Sequence, residues 1–423
     1  MVNKKNLKYS ILEGSCFALM FGLGESYLST LGEFFKYSAT QISILSSLPI
    51  FLGALIQLGS NTFAKHFKSM KRLVVALSLI QSLLWILLII LINITDSYWV
   101  ILLWSVGYFL IASAMGPVWI SWIGYLVPKR IRSNYHANRN KIMNTLIFLS
   151  ILAGGLILQI AELKSIDING FIVPSFLSEN KILAFSVMFA IAAVGRFLST
   201  YYLNKKDDAG NADDGDAYSY KNILQSRQKM LFIAYNTSIH FAVMLFGPLF
   251  TIYILRTMEL GHLVLSFCMA AWWVGNIFSS RFWGRLGKSK GNLFLLKATT
   301  ILMTILPLMW FSVYYFNYEG RIIVSLIINV LAGISFAGFN LSLFNFLYEI
   351  SDEKEVVKIS SLVNCIKGIG IFIGALIAGT IVDSETLKNF TSNYNFTSIQ
   401  LSMLISSMLR FMSYFILTKI DFE

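Results

Sequence analysis

The chain has 423 residues, of which 56% are hydrophobic and only 13% charged, and it carries a net charge of +12. A water-soluble surface needs roughly 25% charged residues, so a soluble globular protein is excluded. The basic excess is not a nucleic-acid footprint, because it sits in short gaps between long apolar runs.

In chain order those runs are 9–33, 41–63, 72–93, 98–127, 141–162, 181–203, 229–255, 262–284, 293–315, 321–348, 357–382 and 396–419. A helix crosses a bilayer in roughly 20 apolar residues. Strands of a membrane barrel are about half that length and alternate in polarity, which these runs do not. The sequence therefore predicts an all-α integral membrane protein with twelve transmembrane helices. The first run follows Lys4, Lys5 and Lys8 as a secretion signal would. It is longer than a signal core, contains Glu13 and Glu25 and lacks a cleavage pattern, so it reads as a retained helix.

With the N-terminus placed inside, the inner segments hold 25 of the 34 Lys and Arg residues and the outer gaps hold 6. The remaining three, Arg196, Lys367 and Arg410, fall within apolar runs. Basic loops stay in the cytoplasm, so both termini are expected there, and the lipid bilayer is the expected surroundings of most of the chain.

Between the sixth and seventh runs lies 204–228, whose segment from Asp207 to Asp216 is too acidic and small-residue-rich to bury a core. It reads as a flexible linker joining a six-helix bundle at 1–203 to a second at 229–423. Landmarks recur between the two: Lys65 and Lys288 stand 223 apart, Gly116 and Gly338 222, and Arg196 and Arg410 214. Duplicated bundles of this kind occur in transporters whose substrate site lies near the bilayer midplane.

Trp283, Gly284, Arg285 and Leu286, followed by Gly291 and Asn292, match the cytoplasmic signature between the second and third helices of a transporter half. The first-half copy keeps Phe63, Ala64, Lys71 and Arg72. On these residues the chain resembles the major facilitator superfamily over essentially its whole length. In both copies the acid of the signature is replaced, by Lys65 and Lys288. The stretch Trp119, Ile120, Ser121, Trp122 with Pro128, Arg132, Tyr135 and Arg139 is similar to a bacterial branch that implies no substrate. The resemblance implies a secondary transporter working by alternating access in a prokaryotic plasma membrane. It also implies cytoplasmic gating loops carrying Lys65, Arg72, Gly284, Arg285, Lys288 and Gly291. Gly287, Lys288 and Ser289 imitate the end of a phosphate-binding loop, but Phe282 stands where that motif needs glycine, so the expected energy source is an ion gradient.

Ionisable groups inside a span are expensive and are functional candidates. Glu25, beyond the middle of span one, is the candidate for proton coupling, since the resemblance puts that helix on the cavity and a desolvated carboxyl can bind and release a proton. Glu13 lies nearer the cytoplasmic end, where water is expected to reach it. Asn236 and His240 share one face of span seven, the counterpart of span one, and are candidates for lining the cavity. Asn364 and Lys367 share a face of span eleven, with Lys367 too deep to reach the interface. It either pairs with an acid such as Glu25 or binds an anionic or zwitterionic substrate. Arg196 and Arg410 are expected to snorkel to the cytoplasmic interface. Trp119, Trp122, Asn340 and Asn345 lie on spans four and ten, the other cavity helices by resemblance. Gly368, Gly370, Gly374 and Gly379 are expected to let helices approach closely.

Cys16, Cys268 and Cys365 fall within spans and imply no disulfide or metal site. No cluster of catalytic or metal-ligating residues appears, so neither an enzyme nor a cofactor is expected. The expected partners are a small-molecule substrate, the bilayer and protons, for a monomer. The alternative is a membrane receptor or scaffold of the same fold without net transport.

Overall fold

The computed structural model describes residues 4–57, 69–162, 165–168, 171–174, 180–208, 220–351 and 356–420. Span one is α1 (Lys4–Leu23), a 3-10 turn (Glu25–Tyr27) and α2 (Leu28–Phe34). It is followed by α3 (Ala39–Gln57), α4 (Met70–Ile94), α5 (Tyr98–Leu126), α6 (Lys129–Glu162) and α7 (Lys181–Asn204). After α6 the chain forms an antiparallel hairpin of β1 (Ser165–Ile168) and β2 (Phe171–Pro174). The remainder contains α8 (Tyr220–Gln225), α9 (Arg227–Met244), an irregular helical run from Gly247 to Thr257, α10 (Gly261–Lys290), α11 (Asn292–Val313) and α12 (Tyr318–Glu349). It ends with α13 (Val356–Asp383), α14 (Glu385–Asn393) and α15 (Ser398–Leu417).

Among the described residues, 11 helices are long and apolar enough to cross a bilayer. Span one, interrupted and bearing ionisable side chains, makes the twelfth run of the sequence. On α4 the residues Leu79, Leu83, Ile86, Leu87 and Ile90 recur at helical spacing and are all exposed. An exposed apolar stripe of that length is tolerated where lipid rather than water surrounds it. The opposite face of α4 buries Val74, Ser78, Gln81, Trp85 and Leu88.

The chain forms two compact units: Met1–Phe35, Leu55–Asp213 and Gly261–Ala270 make the first, and Lys36–Ala54, Asp214–Leu260 and Ala271–Glu423 the second. The helix pairing inside one recurs inside the other. In the first unit α1 packs on α7 and α6, and α4 packs on α7 and α5. In the second, α9 packs on α15 and α13, and α11 packs on α15 and α12. Local geometry repeats as well: spans one and seven both break into 3-10 turns, beginning at Glu25 and Gly247, an offset of 222 residues.

The glycine stripe of span eleven lies in helix contacts. A Cβ at Gly374 would come 2.4 Å from the Phe241 carbonyl oxygen, and one at Gly379 would come 2.4 Å from the Thr40 Cα. Only glycine permits backbones that close.

Candidate functional site: a charged cavity in the first unit

The break in span one is imposed by packing. Gly24 adopts φ −106° and ψ −83°, and a Cβ there would sit 2.5 Å from the Trp85 ring. Trp85 is held edge-on by Trp104 and Tyr108, with ring centroids 5.3 and 5.2 Å away. The same aromatic cluster presents the Tyr108 hydroxyl, which donates to Glu25 Oε1 at 2.6 Å. Glu25 is thus positioned by a buried phenol, and its carboxyl faces a cavity of 340 Å³.

Two guanidinium groups line that cavity with Glu25. Arg196 on α7 is 1% exposed, so the expected snorkelling does not occur. Its Nε donates to Gln81 Oε1 at 3.0 Å, Nη2 donates to the same oxygen, and Nη1 donates to Ser199 Oγ at 3.2 Å. The Phe17 ring lies 5.3 Å from its guanidinium carbon. A buried guanidinium needs acceptors on its N–H groups, and neutral ones meet that need here. No carboxylate among the described residues lies at ion-pair distance from it. Arg410, its counterpart, is also buried and donates from Nη1 to the Met303 carbonyl at 2.8 Å.

Glu13 is likewise buried rather than reached by water. Its Oε2 accepts from Lys206 Nζ at 3.0 Å and from Arg139 Nη2 at 3.4 Å, with side-chain exposures of 5%, 0% and 6% for Glu13, Lys206 and Arg139. Arg139 Nε also donates to the Ser10 carbonyl at 3.1 Å, and its guanidinium carbon lies 4.7 Å from the Trp119 ring centre. The Lys206 ammonium lies 5.3 Å from the Trp122 ring. Burial pushes Lys206 below the ordinary lysine value, and the Glu13 carboxylate draws it part of the way back.

Lys206 is carried into this position by the first residues after α7. Asp207 exchanges hydrogen bonds with Asn6, at 2.9 Å to its Oδ2 and 3.1 Å from its backbone N–H, and its carbonyl accepts from Trp122 Nε1 at 3.1 Å. Ser69 Oγ donates to Asp208 Oδ2 at 2.7 Å. The start of the expected linker is therefore docked on the first unit, while 209–219 lies outside the described residues.

Of the residues singled out in the sequence, Glu13, Glu25, Gly116, Trp119, Arg139 and Arg196 line this cavity, and Trp122 is fully buried. A second group forms on α9 and α13 in the other unit. His240 Nδ1 donates to the Asn236 carbonyl at 2.8 Å, with the Phe339 ring 5.6 Å away, and Lys367 Nζ donates to Asn364 Oδ1 at 3.0 Å. Lys367 makes no ion pair among the described residues; of its two expected roles, the acid partner is not found there, and its ammonium bonds a neutral amide. Asn340 is exposed, and Asn345 donates to Asn292 Oδ1 at 3.3 Å.

The stretch expected to form the second gating loop is helical. Gly284, Arg285 and Lys288 belong to α10, and Gly291, with φ +83°, is the joint to α11. Arg72 lies in the first turn of α4, its backbone N–H donating to Ser69 Oγ at 3.1 Å. Lys65 and the motif around it lie outside the described residues. The sequence reading missed Gln81, Tyr108, Arg139 and Lys206 as parts of a site. Gln81 left a signal as an amide in a largely apolar run, and Arg139 left one as a member of the stretch that begins at Trp119.

No family model and no curated protein matches the chain. Solved structures match it from end to end. A bacterial homologue of the human lysosomal transporter Spinster, in an inward-facing and occupied conformation, superposes with TM-score 0.74 at 12% identity, covering 99% of this chain and 97% of that one. A D-xylose–proton symporter gives 0.70 at 12%, covering 100% and 99%, and the nucleoside transporter NupG gives 0.68 at 13%, covering 99% and 100%. These are likenesses of fold: the chain has the multi-helix fold that these transporters share.

Proposed function

We propose that the chain is a secondary active transporter that moves a small molecule across a membrane by alternating access, with the cavity of the first unit as part of its substrate site. The observation that carries this reading is the convergence of Glu25, Arg139 and Arg196 on one cavity inside a bundle of transporter fold. Ionisable groups held at membrane depth mark substrate and ion pathways. Proteins of similar fold include a D-xylose–proton symporter and a nucleoside transporter.

Proton coupling through Glu25 belongs to the same reading. Its carboxyl faces the cavity and is oriented by Tyr108, which suits a group that exchanges a proton with a substrate-filled site. A thermal-shift screen of metabolites on the purified protein identifies a ligand, because binding stabilises the folded form. In proteoliposomes loaded for uptake of that ligand, Glu25→Gln should abolish accumulation driven by a pH gradient while leaving exchange intact. Unchanged accumulation in that variant would end the coupling claim.

The topology in this reading places both termini, the 204–228 linker and the basic segments in the cytoplasm of a prokaryotic cell, with bundles at 1–203 and 229–423 in a monomer. A thiol reagent that cannot cross membranes should then miss a cysteine placed in the linker of intact cells and label it in opened ones. The second reading, a receptor or scaffold, draws on Lys288 standing where the superfamily signature carries an acid. Such a protein would bind its ligand and give no saturable flux.

A further inference from the structure

The cavity of the first unit holds more positive charge than its own carboxylates neutralise. Three cations meet there: Arg139 and Arg196 on the wall and Lys206 directly behind Glu13. Among the described residues, two carboxylates face them. Glu13 is shared by Arg139 and Lys206, and Glu25 accepts its hydrogen bond from the neutral Tyr108. Asp207, the next acid along the chain, bonds Asn6 with its carboxylate. Arg196 is met by Gln81 and Ser199, which supply acceptors but no charge. A buried cation without a counter-ion is costly in a low-dielectric bundle. With both acids ionised the group keeps one positive charge in excess, and a proton on Glu25 raises that to two.

The donors are also arranged to be used. Arg139 spends Nε on the Ser10 carbonyl and Nη2 on Glu13, while Nη1 has no hydrogen bond among the described residues. Its guanidinium is steadied over Trp119, so an anion would find N–H donors already oriented. The rest of the wall is apolar, with Phe17, Phe21, Met115 and Met143. A volume of 340 Å³ stands at the small end of the range of roughly 300–1,000 Å³ for ligand pockets.

We infer that this cavity binds a small organic anion of single negative charge, its charged group on Arg139 in the field of Arg196 and its apolar body along the Phe and Met side chains. The inference rests on the reading of the cavity as a substrate site and names the class of substrate. A zwitterion would leave the excess charge uncompensated, and an inorganic anion would leave the apolar wall without a partner.

The test reads the cavity with charged thiol reagents and needs no transport. Cys16, Cys268 and Cys365 are replaced by Ala in the full-length chain, and Gly116→Cys is added on the cavity wall, where a Cβ meets no atom within 4 Å. Rates are measured with sulfonatoethyl and trimethylammonioethyl methanethiosulfonate, small organic ions of opposite charge, each divided by its rate with 2-mercaptoethanol. The normalised preference for the anionic reagent should be about tenfold or more. Arg139→Met should remove most of it, and Arg139→Lys, which keeps the charge, should retain it. A normalised ratio at or below one overturns the inference, as does a preference that Arg139→Met leaves unchanged. Anion-selective labelling without saturable flux of any bound anion would sink the transporter reading and keep the site. Saturable flux of a neutral or cationic solute with no labelling preference would do the reverse.

Discussion

The ammonium of Lys206 lies 3.0 Å from Glu13 Oε2, joining the first residues after α7 to the middle of α1 with both side chains shielded from solvent. Lys206 follows the last turn of span six and reads in the sequence as one more cytoplasmic charge. In the folded chain it is buried against Glu13, which lines the cavity, with the Trp122 ring beside it and Arg139 on the same carboxylate oxygen.

Removing that ammonium leaves Glu13 with Arg139 alone at 3.4 Å. Breaking a buried pair by deleting one partner typically costs about 3–5 kcal/mol. Lys206→Met should lower the melting temperature of the detergent-solubilised protein markedly, and Glu13→Gln combined with Lys206→Met should recover part of the loss. A double variant as unstable as the sum of the single ones would show that the pair is not coupled.

Stability should also depend on pH through Lys206. The charged groups facing it are Glu13 on α1 and Arg139 on α6. Burial holds its folded value below that of an ordinary lysine. Between the two values the unfolded chain binds more protons, so this group's contribution to stability rises with pH. Lys206→Arg cannot titrate there. The melting temperature of the wild type relative to Lys206→Arg should therefore increase from about pH 8 to about pH 10. A flat or falling difference contradicts the assignment.

Gln81 Oε1 accepts hydrogen bonds from two nitrogens of Arg196. Hydrogen bonds to charged groups contribute about 1.5–3 kcal/mol, so Gln81→Leu should destabilise the protein by that order in thermal unfolding. Gln81→Glu should preserve the fold and, by cancelling the charge of Arg196, weaken the preference for the anionic thiol reagent.

Gly374 marks the tightest approach of α13 to α9 described above, with a Cβ position 2.4 Å from the Phe241 carbonyl oxygen. Overpacking at such a contact costs about 1–3 kcal/mol. Gly374→Ala should melt at a lower temperature, whereas Gly284→Ala, where a Cβ meets nothing within 4 Å, should melt as the wild type does. Equal melting of both would remove the close-packing account of the glycine stripe.

The bilayer as solvent, the number of apolar runs, the recurrence between the halves and the presence of Glu25 within an apolar run were all legible in the chain. Each depends on composition summed over tens of residues or on one costly residue in an apolar run, and neither needs a partner to be known. The broken geometry of span one was not legible, because it arises where the Trp85 ring fills the space beside Gly24, sixty-odd positions away in sequence. Arg139 and Lys206 looked like two more members of the basic loops, and Glu13 looked close enough to the interface to be wet. Only the packing of α1 against α6 and α7 decided that these three bury one another. Charge counting along a sequence gives the side of the membrane on which a cation ends, since that depends on a sum. Whether a cation faces water, a carboxylate or a cavity depends on which helices meet, and distant residues determine that together.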